Sequence, residues 1–332
     1  MSQPAEIWTV RDVLNWTSQK FAERELSTPL LDAQLLIGSV LSLSKVQIYT
    51  QLDRPLIEIE RTQLRDLVKR RLCGEPVAYL LRQKFWHDLD LTVDQRVLVP
   101  RPETETLLDL VLAICRQENF KPRKILDLCT GSGCLAIALA RAFPSARVLA
   151  LDISSDALEI ARLNCERNSV SNVEFINADA VSLDCYQDFT KEDGFDVIVS
   201  NPPYVSESEW QECDVSVRCY EPKLALIGGQ QGWDLPAQLL KVLSSSGLLT
   251  SASIVALELG LSHPEILSRE LQNNLSVPFS NPFQILACQR PVWDFPRQQW
   301  FALKDYSHRS RFLLNIAIPQ AHSINAAYEF NV

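Results

Sequence analysis

The stretch Asn201-Pro202-Pro203-Tyr204 combines residue types that suit a planar amino group. It follows the β-branched run 197–200, which predicts a buried strand. The prolines end that strand, because neither offers an N–H to the ladder, and open α/β sheets bind ligands where strands end. The Asn201 side-chain oxygen and a backbone carbonyl, that of Pro202, could accept both hydrogens of an –NH2 group, while Tyr204 offers a flat stacking face. A proline-rich turn is the alternative.

A glycine loop and two acidic residues precede this motif. The loop Cys129-Thr130-Gly131-Ser132-Gly133 follows a predicted strand, and it lacks the third glycine with which dinucleotide binders hold a pyrophosphate. Asp152, about 20 residues further on at a strand end, is placed to accept both ribose hydroxyls, although Ser154 and Ser155 leave a helix cap open as an alternative. Asp179 ends the third strand and is placed to accept from an adenine amino group.

Ribose and adenine without pyrophosphate indicate S-adenosylmethionine as the cofactor. The residues predicted to bind it are Asp127, Cys129, Thr130, Gly131, Ser132, Gly133, Asp152, Asp179, Ala180 and Asn201.

Alternating strand and helix patterns from residue 124 onward predict a doubly wound parallel sheet. A closing antiparallel pair brings the expected number of strands to seven. The predicted strands are 125–128, 147–152, 173–179, 197–200, 254–259, 300–303 and 311–318, with helices at 103–115 and 134–142.

Helical patterns within 6–72 and a β-hairpin turning near His87-Asp88 precede the sheet. The predicted organisation is a helical substrate-docking domain over 1–80, a hairpin linker over 81–105, a catalytic domain over 106–320 and a loose tail over 321–332.

The segment Pro100-Arg101-Pro102-Glu103-Thr104-Glu105 permits two interpretations. Glu103 and Glu105 lie where a helix would begin, and the positive end of the helix dipole favours acidic residues there. Alternatively, Arg101 and Glu103 face the mouth of the active site and bind substrate.

Composition limits the class of protein. A hydrophobic content of 46% and a charged content of 22% describe an ordinary globular chain, and no apolar run approaches the roughly 20 residues that span a bilayer. The net charge of −9 argues against direct DNA binding. Nine scattered cysteines without a C-x-x-C pair or metal-ligand spacing favour a reducing cytoplasm and no metal site.

Taken together, these motifs resemble the peptide-chain-release-factor glutamine methyltransferases of the PrmC/HemK family. The likeness extends over residues 8 to about 240, and the matching pieces are 74–80, 85–86, 100–105, 126–133, 201–204, 217–222 and 225–226. The resemblance implies a helical domain that docks the release factor, a hairpin linker and a seven-stranded methyltransferase domain. It also implies methyl transfer from S-adenosylmethionine to the side-chain amide nitrogen (N5) of the glutamine in a Gly-Gly-Gln motif.

The sequence departs from this family in three places. Cys129 stands where the family usually has glycine, and its loop is more typical of sister enzymes that modify a ribosomal protein. Gln230-Gln231-Gly232 replaces a Gly-x-Asp-Gly-like turn, and residues 244–310 carry altered sequence.

Four functions are therefore weighed. The expected one has a release factor as its partner, with a monomeric enzyme and no membrane or DNA contact. The alternatives are methylation of a ribosomal-protein glutamine, methylation of a nucleic-acid amino group such as adenine N6, and a non-catalytic cofactor-binding scaffold. A nucleic-acid methyltransferase would need a basic groove, which the acidic catalytic half lacks. A scaffold would be expected to lose Asn201 or Pro202.

Overall fold

The computed structural model describes residues 7–182, 194–261, 263, 266–267, 285–286, 299–304 and 310–316. The chain divides into two compact units. The helical unit comprises Met1–Gln83 and Asp214–Tyr220, and the sheet unit comprises Lys84–Cys213 and Glu221–Val332. The segment Asp214–Tyr220, which was expected within the catalytic domain over 106–320, thus clusters with the N-terminal helices. The expected loose tail lies outside the described residues.

Helices account for most of the first unit and cover the sheet of the second. In chain order they are α1 (Val10–Glu23), α2 (Pro29–Leu41), α3 (Lys45–Thr50), α4 (Glu58–Leu72), α5 (Val77–Leu81), α6 (Pro102–Gln117), α7 (Cys134–Ala142), α8 (Ser155–Arg167), α9 (Glu207–Glu212), α10 (Val215–Arg218) and α11 (Asp234–Ser245).

The strands form one large sheet and two small ones. In chain order they are β1 (Lys84–Trp86), β2 (Leu89–Leu91), β3 (Lys124–Leu128), β4 (Arg147–Asp152), β5 (Val173–Asn177), β6 (Phe195–Ser200), β7 (Val205–Ser206), β8 (Ile227–Gly229), β9 (Leu249–Glu258), β10 (Ile285–Leu286), β11 (Gln299–Lys304) and β12 (Ser310–Ile316).

In the helical unit, α1, α3 and α10 begin at side-chain caps. Thr9 and Asp12 form a capping box that starts α1, and Ser44 and Gln47 do the same for α3. The apolar faces of α1, α2 and α4 meet in one core, in which Phe21 and Leu36 are fully buried. The apolar side chains that recur at helical spacing in the sequence therefore face the core.

The predicted hairpin is confirmed. Strands β1 and β2 pair in antiparallel register, with Trp86 opposite Leu89, and His87 at the turn has a φ of 52°. The buried Asn164 of α8 donates to the Thr92 carbonyl and accepts from the Thr92 N–H, which fixes the chain just after the hairpin.

The large sheet confirms the predicted doubly wound architecture. Its strand order is β10-β11-β12-β9-β6-β3-β4-β5. Strands β5, β4, β3, β6 and β9 run parallel, whereas β12 lies antiparallel between β9 and β11. The seven expected strands are present, and the two-residue β10 adds an eighth at the edge. The predicted strand 254–259 begins earlier, at Leu249.

Because the central strands are parallel, the carboxyl ends of β3, β4, β6 and β9 lie at the same edge of the sheet. Among the described residues, no helix is both long and apolar enough to cross a membrane.

A buried ion pair stabilises the helical unit. The Arg71 Nε atom donates to Asp32 Oδ2 at 2.8 Å, and the two side chains are only 10% and 6% exposed. We predict that Asp32→Ala lowers the local free energy of unfolding of α2 and α4 by about 3 kcal/mol, because it leaves a buried guanidinium without its counter-charge. Hydrogen exchange measured by mass spectrometry on the full chain reports this loss.

The control is Asp53→Ala. Asp53 pairs with Arg11, but these side chains are 90% and 50% exposed. An exposed pair contributes less than about 1 kcal/mol, so protection should hardly change. Equal effects of the two substitutions would contradict the assigned weight of the buried pair.

Candidate active site

A cavity of about 280 Å³ lies at the edge of the sheet where β3, β4 and β6 end. It brings together most of the residues predicted from the sequence. Those lining it are Arg101, Asp127, Cys129, Thr130, Gly131, Ser132, Asp152, Asp179, Ala180, Asn201 and Pro203. Glu103, Gly133, Pro202 and Tyr204 are not among its lining residues.

Asp127 is the most deeply buried acid of this cavity, with 1% of its surface exposed. Its Oδ2 atom accepts from Thr130 Oγ1 at 2.6 Å and from the Ala136 N–H at 3.1 Å. Its Oδ1 atom has no hydrogen-bond partner among the described residues. Burial raises the pKa of this carboxyl to about 7, in spite of the two hydrogen bonds that oppose the shift. One oxygen of a buried acid is therefore left for a ligand.

Asp152 connects the end of β4 to the glycine loop. Its Oδ2 atom accepts from the Gly131 N–H at 2.8 Å and its Oδ1 atom from the Ser154 N–H at 2.9 Å. Burial raises the pKa of this carboxyl. The helix α8 is capped by Ser154, whose side chain accepts from the Ala157 N–H. Asp152 is thus not the cap of this helix, and its carboxylate lines the cavity.

Asp179 lies two residues beyond β5, and its Oδ1 atom accepts from the Val181 N–H at 3.1 Å. It lines the cavity together with Ala180.

The glycine loop combines an open approach with a tight one. Gly131 has a φ of 55°, and a Cβ added there would meet nothing within 4 Å. Gly133 has a φ of 82°, and a Cβ there would lie 3.1 Å from that of Ala161, so this glycine lets α7 pack against α8. The predicted contact of Gly133 with the cofactor stays a prediction.

Cys129 adopts a left-handed conformation with a φ of 58°. Glycine adopts this conformation more readily than a residue with a side chain, which fits the glycine that the resemblance implies at this place. Burial and the nearby Asp152 raise the pKa of the Cys129 thiol, so the side chain stays neutral.

Asn201 follows directly after β6, and its Nδ2 atom donates to Thr104 Oγ1 at 2.9 Å. The remaining amide atom, Oδ1, is an acceptor. Pro202 and Pro203 are buried. A Cβ on Gly228 would collide with the carbonyl oxygen of Pro203, so only glycine lets β8 pass this close to the loop. The backbone of β8 therefore packs directly against the loop.

Three polar residues of the site, Thr104, Glu221 and Glu258, were not predicted from the sequence as functional candidates. Glu258, fully buried at the end of β9, accepts from Thr104 Oγ1 at 2.8 Å and from Tyr204 Oη at 3.1 Å. Glu221 accepts from Arg101 Nη2 at 2.7 Å and from the Val99 N–H at 3.2 Å. The signal for Glu258 was a charged residue inside an apolar strand, which in a buried strand requires a partner.

Of the two residues predicted to face the mouth of the active site, Arg101 lines the cavity and Glu103 does not. The Arg101 guanidinium is fixed there by Glu221. Burial raises the pKa of the Glu221 carboxyl, and Arg101 opposes this shift. Glu103 lies in the first turn of α6, as the helix-dipole interpretation expects.

The donor set of the cavity fits S-adenosylmethionine. The unpartnered oxygen of Asp127 suits a cationic group, and Asp152 and Asp179 supply carboxylate acceptors for hydroxyl and amino hydrogens. Within the described ranges, no group of three or more histidine, cysteine or acidic side chains has the arrangement of a metal site.

The raised pKa of Asp127 makes stability depend on pH. Between the ordinary value of 3.8 and about 7, the folded state binds one more proton than the unfolded chain, so stability falls as pH rises through this window. Asp127→Asn cannot ionise, and its amide oxygen keeps both hydrogen bonds. We predict that the substitution removes this dependence, a difference on the order of 1.4 kcal/mol for each pH unit within the window.

Urea unfolding of the ligand-free protein at pH 5 and pH 8 measures the difference. The exposed Asp156 provides the control, since Asp156→Asn should leave the profile of the native sequence in place. Parallel pH profiles for Asp127→Asn and the native protein would refute the assignment.

Comparisons with known proteins identify the family of the chain. The family described as the PrmC N-terminal domain matches residues 12–81, and a methyltransferase domain family matches residues 119–288. A release factor glutamine methyltransferase from Chlorobaculum tepidum is 42% identical over 228 residues, covering 67% of this chain and 76% of the relative. Another from Rhodopirellula baltica is 37% identical over 235 residues, covering 70% and 78%.

Among solved structures, the hMettl16 catalytic domain in complex with MAT2A 3'UTR hairpin 6 aligns with a TM-score of 0.50 at 15% identity. The alignment covers 77% of this chain and 83% of that one, and it supports the methyltransferase fold alone. The sequence relatives are far closer. The chain therefore belongs to the release factor glutamine methyltransferase family, and it is an enzyme that uses S-adenosylmethionine as methyl donor.

Proposed function

We propose that this enzyme methylates the side-chain amide nitrogen (N5) of the glutamine in the Gly-Gly-Gln motif of peptide chain release factors. The observation that carries the proposal is the position of Asn201, whose amide is held beside the cofactor cavity on a diproline loop. The relatives named as release factor glutamine methyltransferases support the choice of protein substrate.

The nitrogen of an amide is a poor nucleophile, and the loop 201–204 activates it. When bound, the cofactor supplies an electrophilic methyl group. Asn201 Oδ1 accepts one N–H of the substrate carboxamide and the Pro202 carbonyl accepts the other, which raises electron density on nitrogen. The two acceptors also fix the direction of its lone pair, and this orientation is the main catalytic contribution.

No dedicated base is required. The nitrogen becomes strongly acidic as it gains the methyl group and releases one of its protons to solvent, and the neighbouring acceptors stabilise the positive charge that develops before this proton leaves. The Tyr204 ring stacks on the carboxamide in this proposal. Pro203, Arg101 and Glu103 contribute to the wall that the substrate contacts.

Asp127, Asp152, Asp179 and the loop 129–133 hold the cofactor. Asp127 balances positive charge, Asp152 accepts from the ribose hydroxyls and Asp179 accepts from the adenine amino group. Ala180 provides apolar contact beside them.

The net charge of −9 supports a protein substrate rather than direct DNA binding. We infer further that the enzyme acts as a monomer in the cytoplasm. Light scattering of the purified protein tests its oligomeric state.

The direct test is incubation with labelled S-adenosylmethionine and intact release factors, followed by mass mapping of the modified peptide. We expect one methyl group on the glutamine of Gly-Gly-Gln and none when that glutamine is replaced by alanine. Parallel reactions contain ribosomal proteins and DNA. Label on either of these, with none on a release factor, would overturn the proposal.

We predict that Asn201→Ala lowers kcat by about 100-fold, the usual effect of removing one group that acts on the transition state. Affinity for S-adenosylmethionine should change by less than about threefold, because the cofactor contacts on β3 and β4 remain. Single-turnover kinetics and calorimetric titration measure the two quantities separately.

Asp152→Asn provides the contrast. It should weaken cofactor affinity, because an amide presents one acceptor oxygen where the carboxylate presents two. Unchanged turnover in Asn201→Ala, or an equal loss of binding, would contradict the catalytic role.

A further inference from the structure

We propose that Glu258 is a positioning residue that sets, through the Thr104 hydroxyl, which end of the Asn201 amide faces the substrate. The inference rests on the proposed function, in which Asn201 Oδ1 accepts a hydrogen from the substrate carboxamide. It adds two residues, on β9 and α6, to the requirements of the reaction.

The chain of hydrogen bonds is continuous. Asn201 Nδ2 lies 2.9 Å from Thr104 Oγ1, which lies 2.8 Å from Glu258 Oε2. Glu258 is fully buried and Thr104 is 2% exposed, so water is excluded from the connection between them. The other carboxylate oxygen, Oε1, accepts from Tyr204 Oη at 3.1 Å.

Counting protons gives the direction of this chain. A hydroxyl has one hydrogen to donate, and in the structure Thr104 donates it to Glu258 Oε2. The Thr104 proton is therefore committed to Glu258, and the Thr104 oxygen can only accept from Asn201. This assigns Nδ2 to the Thr104 side and leaves Oδ1 for the substrate.

The opposite orientation of the amide is incompatible with the hydrogen bond from Thr104 to Glu258. If Asn201 Oδ1 faced Thr104, the hydroxyl would have to donate to it, and the hydrogen bond from Thr104 to the buried Glu258 would be lost. Loss of a hydrogen bond to a buried polar group is unfavourable. The carboxylate thereby selects one of two nearly isosteric orientations of the amide.

The fold keeps the four groups in register. Thr104 lies in the first turn of α6, and Glu258 ends β9, which pairs with the strand that leads into Asn201. Thr104 lines the cavity, whereas Glu258 does not. Glu258 acts only through other side chains, which distinguishes positioning from direct catalysis.

The first experiment reverses the direction of the hydrogen bonds between Glu258, Thr104 and Asn201 without changing the volume of a side chain. In Glu258→Gln, the new amide can accept from Tyr204 and donate to Thr104, which then donates to Asn201 and turns its amide around. We expect kcat on a release factor to fall by about 100-fold, with cofactor affinity unchanged. Thr104→Val should behave alike, and Thr104→Ser should restore activity to within about threefold.

The second experiment reverses the whole chain in the double variant Asn201→Asp with Glu258→Gln. The new amide at position 258 donates to Thr104, and Thr104 donates to the new carboxylate at position 201, whose second oxygen again accepts from the substrate. Asn201→Asp alone sets two carboxylates against one hydroxyl proton. We expect the double variant to turn over about tenfold faster than Asn201→Asp alone, because contacting residues couple non-additively. A double variant no faster than this single one would overturn the inference.

A third readout is independent of any substrate. The side-chain NH2 signals of Asn201 in a 15N-labelled spectrum, assigned by their loss in Asn201→Asp, should show one hydrogen protected from exchange. That protection should disappear in Thr104→Val and Glu258→Gln, and it should persist in Thr104→Ser. Identical Asn201 signals in the native protein and in Glu258→Gln would overturn the inference, even if the native enzyme methylates release factors.

The two proposals can therefore fail separately. A native enzyme that leaves release factors unmodified disproves the proposed substrate, whereas the Asn201 signals still decide the orientation of its amide. Thermal melting of each variant identifies any loss of fold. If the Glu258 variants do not fold, the comparison of Thr104→Ser with Thr104→Val decides whether the Thr104 hydroxyl orients the Asn201 amide.

Discussion

Parallel pairing of β3 with β6 is the constraint on which the rest of the site depends. Leu128 lies opposite Ser200, so the glycine loop and the Asn-Pro-Pro-Tyr loop leave the sheet side by side. The Ser200 hydroxyl donates to the Leu128 carbonyl at 2.7 Å, which fastens the two strands at their last residues. A shift of this pairing by one residue would turn the loops to opposite faces of the sheet. The two loops to which the proposed function assigns the methyl donor and the acceptor are thus brought together by strand register alone.

The same edge of the sheet concentrates buried carboxylates, and each is satisfied differently. Asp127 shares one oxygen with the protein and leaves the other without a partner among the described residues, whereas Glu258 uses both oxygens on the hydroxyls of Thr104 and Tyr204. Glu221 neutralises Arg101. Burying such groups without partners is unfavourable. The unpartnered oxygen of Asp127 therefore destabilises the ligand-free fold locally, and a bound ligand that donates to this oxygen would remove the cost. Those whose oxygens are occupied shape the site, and the one that is half-occupied is available to bind.

Much of this arrangement follows from local sequence. The helix at 134–142 and the strand at 147–152 match α7 and β4 at both ends, because a glycine loop and a run of apolar residues define each boundary. The cavity-lining acids Asp127, Asp152 and Asp179 follow from their places at or near the carboxyl ends of strands. Glu258 and Thr104 did not, because their importance lies in a contact between residues 154 positions apart. The early start of β9 at Leu249 likewise depends on pairing with its neighbours rather than on its own residues.

The covalent path of the chain crosses between the two units more than once. Asp214–Tyr220 packs with residues before Gln83, where Tyr220 Oη donates to the Cys73 carbonyl at 3.2 Å and a Cβ on Gly74 would meet the Val215 side chain. The backbone therefore passes from one unit to the other three times, after Gln83, after Cys213 and after Tyr220. Gene recombination at a single crossover point could not exchange the helical unit between relatives, since the incoming piece would arrive without its distant insert. The two units are in this sense inherited together.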